Sequence, residues 1–181
     1  MNPPERHSPG ILYVVATPIG NLEDITFRAV RVLKEVDLIA AEDTRHTKKL
    51  LNHFNIQTQL ISYYREKEKE RAGELLDHLH AGMHIALVSD AGTPGISDPG
   101  EVLVTLAREA AITVTPIPGP SALTTAISVA GLNCGSFLFL GFPPSRSGQR
   151  RKFLSAVTNC QYPVVLYESP HRIQEIGRAH V

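Results

Sequence analysis

Residues 85–100 read I-A-L-V-S-D-A-G-T-P-G-I-S-D-P-G. The apolar run Ile85–Val88 predicts a strand, and an unusually constrained loop follows it. Gly92, Gly95 and Gly100 open backbone conformations closed to other residues, and Pro94 and Pro99 stiffen the turns. Asp90 and Asp98 bracket a segment rich in main-chain donors and acceptors. Such a loop can touch a ligand with its backbone. The plain alternative is a tight strand-to-helix connection with Asp98 near the helix start. The rest of the chain decides between the two.

Outward from this stretch, strands and helices alternate. Ile11–Ala16 is a β-branched apolar run closed by Thr17, Pro18, Ile19, Gly20 and Asn21, a strand and a turn. Asp24 or Thr26 then caps a helix whose apolar residues Ile25, Ala29, Val30, Leu33 and Val36 recur at three- and four-residue spacing. A strand at Leu38–Ala41 runs directly into Glu42, Asp43, Thr44 and Arg45, and Leu50, Leu51 and Phe54 mark the buried face of the next helix. Gln59–Ser62 is a weaker strand signal. Arg65–Arg71 alternates acid and base, a solvated helix face supported by i, i+4 pairing, before the stripe Leu75, Leu76, Leu79 and the stop at Gly82. After the central loop come a helix around Val102–Ala110 and a strand at Ile112–Ile117, closed by Pro118, Gly119, Pro120 and Ser121.

Beyond that point the pattern predicts a helix at Ser121–Val129, a strand at Phe137–Leu140, a helix at Arg150–Thr158 and a strand at Val164–Tyr167. The order implies an α/β fold with a largely parallel sheet over residues 1–118. Residues 119–181 are read as a second, incomplete α/β domain, because about 60 residues are marginal for an independent core.

Composition narrows the function classes. With 181 residues and 43% hydrophobic content the chain can bury a substantial core. Met1–Gly10 has no apolar leader-like region and no segment has the apolar length of a membrane span, which reads as a soluble, cytoplasmic protein. Cys134 and Cys160 are far apart and lack zinc-ligand spacing, so neither a disulfide framework nor a structural metal is expected. The net charge of zero hides a polarity. Residues 1–118 carry 12 Lys and Arg against 16 Asp and Glu, and residues 119–181 carry 6 against 2. A polyanion therefore meets a polarised surface, which suits local recognition better than non-specific coating.

Four polar or glycine-rich segments follow predicted strands: T-P-I-G-N, E-D-T-R, the central S-D-A-G-T-P-G-I-S-D-P-G, and P-G-P-S. In a parallel sheet the carboxyl ends of the strands share one edge, so all four should converge there and form a site. None is a dinucleotide fingerprint or a P-loop. These segments resemble the signature of the tetrapyrrole methylase superfamily. Within it, T-P-I-G-N-L-E-D-I-T (residues 17–26), A-A-E-D-T-R (40–45) and S-D-A-G-T-P (89–94) resemble the small-subunit ribosomal RNA cytidine 2′-O-methyltransferases. P-G-P-S-A (118–122), G-F-P-P (141–144) and Y-E-S-P-H-R (167–172) extend the resemblance over nearly the whole chain.

The resemblance implies a two-domain α/β fold that binds S-adenosyl-L-methionine in a cleft between domains and acts as a homodimer on small-subunit ribosomal RNA, with no metal. Carried over by position, cofactor contacts fall on Pro18, on Asp90, Ala91, Gly92 and Thr93, on Ser121 and Ala122, and on Tyr167 and Glu168. Family members continue beyond Val181. Methyl transfer to a ribose hydroxyl needs a group to take its proton. Asp43 and Glu42 are the candidates, with Arg45 binding a phosphate or holding a carboxylate, against the alternative of a helix cap with a local ion pair. Arg146, Arg150, Arg151 and Lys152 form the basic stretch expected to meet the RNA backbone. His46, Lys48 and Lys49 are balanced between a solvated face and phosphate contact, and capping or packing is favoured over catalysis for His171 and Arg172. Two rival readings stand beside this one: methylation of a small tetrapyrrole, and a cofactor- or RNA-binding module without catalysis.

Overall fold

The computed structural model describes residues 8–132 and 135–179, so the readings placed on residues 1–7, on Cys134 and on residues 180–181 lie outside it. Strands β1 (Ile11–Val15), β2 (Leu38–Ala41), β3 (Gln59–Ser62), β4 (Ile85–Val88) and β5 (Thr113–Ile117) form one sheet in the order β3-β2-β4-β1-β5. Every pairing in it is parallel. All residues of β2 and β4 are buried, which is why both read as uninterrupted apolar runs rather than alternating ones. Pro116 lies in β5, an edge strand, where a missing amide donor is tolerated.

Helices cover both faces. On one side α1 (Phe27–Glu35) and α2 (Thr44–His53) bury Ala29, Val32, Leu33 and Leu51 against Val15, Ile39, Ala41, Ala86 and Val88. On the other, α3 (Glu68–His80) and α4 (Glu101–Glu109) bury Ala72, Leu75, Leu79, Leu103 and Ala107 against Leu12, Leu38, Ala40, Ile85 and Leu87. Of the two candidate caps for α1, Thr26 takes the role: its hydroxyl accepts from the Ala29 amide at 3.0 Å, while Asp24 ends a short 3-10 turn. Since β1 leads into α1 and β4 into α4, neighbouring strands at the middle of the sheet send the chain to opposite faces. The gap between β1 and β4 is thus the switch point at which open α/β sheets bind ligands.

The chain divides into two compact units after Thr125, against an expected boundary at residue 118. In the second unit β6 (Leu138–Phe139) pairs in parallel with β7 (Val164–Val165), both shorter than the runs that predict them. Helix α5 (Ala122–Val129) falls within the expected span, α6 (Ser147–Val157) begins before Arg150, and α7 (Ile173–Ala179) follows the Y-E-S-P-H-R segment. Cys160 is a free, half-buried thiol.

One buried network ties the far end of the central loop to the start of α3 and the end of β3, on the face of the sheet that α3 and α4 cover. The Tyr63 side chain is fully buried, and its hydroxyl donates to Glu68 Oε1 at 3.1 Å while accepting from the Leu103 amide at 3.2 Å. Glu68 Oε1 also accepts from the Gly100 amide at 2.8 Å. Gly100 has φ +143, and a Cβ there would lie 3.0 Å from Leu87 Cδ2 and 3.3 Å from the Gly95 amide nitrogen. Burial, then the Glu68 carboxylate, push the Tyr63 phenol well above its usual range, so it stays a neutral donor. Tyr63→Phe leaves the Leu103 amide without its partner, and a loss of about 1–3 kcal/mol in urea unfolding is expected. A loss below about 0.5 kcal/mol would show that this network does not carry the loop.

Candidate functional site

The four strand-end loops converge as the parallel topology requires. The first and central loops are joined by an isolated two-way backbone bridge: the Thr17 amide donates to Gly92 O at 2.9 Å and the Gly92 amide to Thr17 O at 3.0 Å. The buried Thr17 hydroxyl adds a bond to Ser89 O at 3.1 Å. The central and fourth loops meet where Thr93 Oγ1 donates to Pro120 O at 3.4 Å. The second and central loops are joined by Asp90, whose Oδ1 accepts from the Asp43 amide at 3.0 Å. In return Glu42 Oε2 accepts, more weakly at 3.5 Å, from the Asp90 amide.

At this edge the carboxylates have separate environments. Asp43 caps α2: its Oδ1 accepts from the Arg45 amide at 2.8 Å and the His46 amide at 3.4 Å, and its Oδ2 from Arg45 Nη2 at 3.0 Å. The hydrogen bonds from the Arg45 side chain and amide lower its carboxyl to about 2. Glu42 goes the other way. Burial raises its carboxyl, and the nearby charges of Asp98 and Asp90 raise it further. Asp98 is likewise raised, chiefly by burial, with a Ser89 hydrogen bond opposing. Asp43 therefore contributes stability that is present above the ordinary carboxyl range and lost as pH falls toward 2. For Glu42 and Asp98, ionised less readily in the fold than in the open chain, stability falls as pH rises through their folded values.

Between the first loop, the start of α2 and the central loop lies a cavity of about 520 Å³, with Thr17, Pro18, Ile19 and Leu22 on one side and Ser89, Asp90 and Ala91 on another. His46, Thr47, Lys49 and Leu50 complete it from α2. A larger hollow of about 740 Å³ lies along the outer side of α1, lined by Phe27, Val30, Arg31 and Phe54, and holds none of the strand-end carboxylates. Gly92 is buried with φ +82, and a Cβ on it would point at Ile19 Cγ2, 3.4 Å away, and Pro120 O, 3.7 Å away. Thr93 and Ser121 are half-buried, and Ala91 and Ala122 are exposed.

In the second unit, Tyr167 packs edge-on against Phe139 at 4.8 Å and Phe142 at 5.7 Å. The Glu168 side chain is 5% exposed; its Oε1 lies 3.4 Å from Arg172 Nη1 and accepts from the Ser169 amide. Glu168 Oε2 is buried and has no donor among the described residues. Arg172 Nη2 also donates to Pro144 O, so the packing role expected of Arg172 links the Y-E-S-P-H-R and G-F-P-P segments. Arg146, Arg151 and Lys152 are exposed, as a backbone-binding role requires. Arg150 differs from them: it is 6% exposed, on the same side of α6 as buried Leu154, with Nη1 donating to Ser145 O at 2.8 Å. It braces the helix start. The charge alternation at Arg65–Arg71 concealed two residues that shape the central loop: Glu68, and Arg65, whose Nη2 donates to Ser97 O at 3.1 Å. A tyrosine directly after a strand was the only signal of that network in the sequence.

Comparison with known proteins agrees with this geometry. The chain is 53% identical over 98% of its length to "Ribosomal RNA small subunit methyltransferase I" of Halalkalibacterium halodurans, and covers 64% of that protein. It is 55% identical over 91% of its length to the protein of the same name from Synechocystis, covering 59% of it. The chain thus spans about three fifths of these curated relatives. Among solved structures it resembles the native form of uroporphyrin III C-methyl transferase from Thermus thermophilus, with a TM-score of 0.64 and 21% identity over 94% of this chain and 77% of that one, a likeness of fold. The family described as Tetrapyrrole (Corrin/Porphyrin) Methylases matches residues 11–180, and with its five-stranded parallel sheet and bridged strand-end loops the chain belongs to that family.

Proposed function

We propose that this chain carries the cofactor and catalytic loops of an S-adenosyl-L-methionine-dependent methyltransferase that modifies a cytidine ribose 2′-hydroxyl in small-subunit ribosomal RNA. The observation that carries the reading is 53% identity, over 98% of the chain, to a protein named for small-subunit ribosomal RNA methylation. Tetrapyrrole methylation has weaker support, since the uroporphyrin enzyme shares the fold at 21% identity. A homodimer in the cytoplasm is part of the proposal. No helix among the described residues is long and apolar enough to cross a membrane.

Two features, each taken within its own unit, support the cofactor reading. Gly92 holds the central loop at φ +82, where a Cβ would meet Ile19 and Pro120, so the loop that the family motifs assign to the cofactor keeps its shape only with glycine there. Glu168 Oε2 is a buried acceptor without a donor among the described residues, as expected of a group awaiting a ligand hydroxyl or amine. Pro18, Asp90, Ala91, Thr93, Ser121, Ala122 and Tyr167 are assigned to the same ligand by the family motifs. When bound, S-adenosyl-L-methionine supplies an electrophilic methyl group on a sulfonium, which leaves as a neutral thioether. The ribose oxygen forms the new bond to carbon and gives up its proton to the protein.

Glu42 is the better acceptor for that proton. A carboxyl lowered to about 2, as Asp43 is, has little affinity for one, whereas Glu42 is raised by burial and by Asp98 and Asp90. Asp43 instead fixes Arg45, whose side chain is 90% exposed and available to a phosphate.

In single-turnover methylation of small ribosomal subunits, by a chain of the relatives' full length, Glu42→Gln is expected to slow transfer by about 10²- to 10⁴-fold. The same change should abolish an acid limb lying above the ordinary carboxyl range, while Asp43→Asn slows transfer by less than about tenfold. The opposite order would return the role to Asp43. Gly92→Ala places a Cβ at positive φ, a strain of about 1–2 kcal/mol, against Ile19 and Pro120 and so disturbs the bridge to Thr17 that sets the loop assigned to the cofactor. Calorimetry should show cofactor affinity lower by at least about tenfold with the helical signal intact. Unchanged affinity would remove Gly92 from the cofactor site.

A further inference from the structure

We propose that the cavity of about 520 Å³ beside α2 receives the target nucleotide of an unpaired RNA strand, and that His46 and Lys49 on its rim, with Lys48 next to them, hold the adjoining phosphates. The inference rests on the ribosomal RNA reading above and extends it to a substrate site.

Charge is the first support. Helix α2 reads T-R-H-T-K-K-L-L-N-H, with Arg45, Lys48 and Lys49, two histidines and no acid. It belongs to a stretch, residues 1–118, in which acidic residues outnumber lysine and arginine by 16 to 12. Helix α3 shows what a merely soluble helix in this unit looks like: E-K-E-R-A-G-E-L-L-D-H-L-H mixes both signs and pairs Arg71 with Glu74. On α2 the apolar side is filled by Leu50 and Leu51, while Arg45, His46, Lys48 and Lys49 are exposed. Among the described residues neither lysine has an ion-pair partner. A one-signed helix face on an acidic unit suits a polyanion.

The cavity supplies the second support. Pro18, Ile19, Leu22 and Leu50 give it apolar walls against which a base can lie, and Thr17, Ser89 and Asp90 give it polar groups. Its first-loop and central-loop walls are the segments assigned to the methyl donor, so a nucleotide inside it has its ribose beside the reacting centre. Asp43 occupies the Arg45 and His46 amides at the start of α2, which leaves the side chains along the helix, rather than its end, to meet phosphates.

The test uses a chain of the relatives' full length, purified small ribosomal subunits and saturating S-adenosyl-L-methionine. Lys49→Glu, alone and with Lys48→Glu, is expected to raise the KM for subunits by roughly tenfold or more per reversed charge. Cofactor affinity by calorimetry should stay within about twofold, and Lys49→Gln should lower the salt slope of subunit binding by about one. Lys49→Arg, which keeps the charge, should restore KM to within about threefold of the parent. An unchanged KM and salt slope, in a parent chain that methylates subunits, overturns this inference alone. A tenfold loss of cofactor affinity in Lys49→Glu also overturns it, by giving the cavity to the cofactor. A parent chain that binds cofactor but methylates no small subunit overturns the functional reading and this inference together.

Discussion

The two-way bond between Thr17 and Gly92 holds the site together. At the switch point β1 and β4 lie side by side, yet their chains leave toward opposite faces, and nothing in the sheet ladder spans the gap they open. A two-residue antiparallel bridge closes it. Gly92 sits there at φ +82, a conformation that other residues enter at a cost, and its amide and carbonyl both point back at Thr17. From this fixed point Thr93 reaches Pro120, and Asp90 reaches the amide of Asp43. The first, second and fourth loops are each bonded to the central one and are placed through it.

Once the loops are fixed, similar side chains acquire different chemistry. Asp43 is surrounded by donors and Asp90 is engaged by a backbone amide, whereas Glu42 and Asp98 sit half-buried among like charges. Donors favour the ionised form and burial disfavours it, so adjacent residues 42 and 43 move in opposite directions. A site that takes up a proton needs one carboxylate able to accept it and others that stay charged and hold the frame.

Much of this was legible in the sequence, for identifiable reasons. Strands buried on both faces have no choice but to be continuously apolar, so β2 and β4 stood out, and a parallel order brings their following loops to one edge. What stayed hidden depends on partners distant in sequence. Glu68 looks like one more charge on a solvated helix until Gly100 and Tyr63 are placed beside it. Arg150 reads like its neighbours Arg151 and Lys152, and only its position on the Leu154 side of α6 buries it. Asp43 and Glu42 could be named as a pair, but their division of roles follows from hydrogen bonds that the residue types do not reveal.

The placement of β1 bears on how the chain acquires its shape during synthesis. Of the five strands in this sheet β1 is made first, and it pairs with β4 and β5 and with neither strand made in between; Leu12 stands opposite Ile85 on one side and Val114 on the other. β2 and β3 can find each other early, but the middle of the sheet waits until β4 and β5 have emerged. At about 5–20 residues per second that leaves an apolar strand unpaired for several seconds or more. Contacts this distant in sequence also slow folding itself. The nascent chain has most to gain from a holding chaperone between the completion of β1 and the arrival of β5.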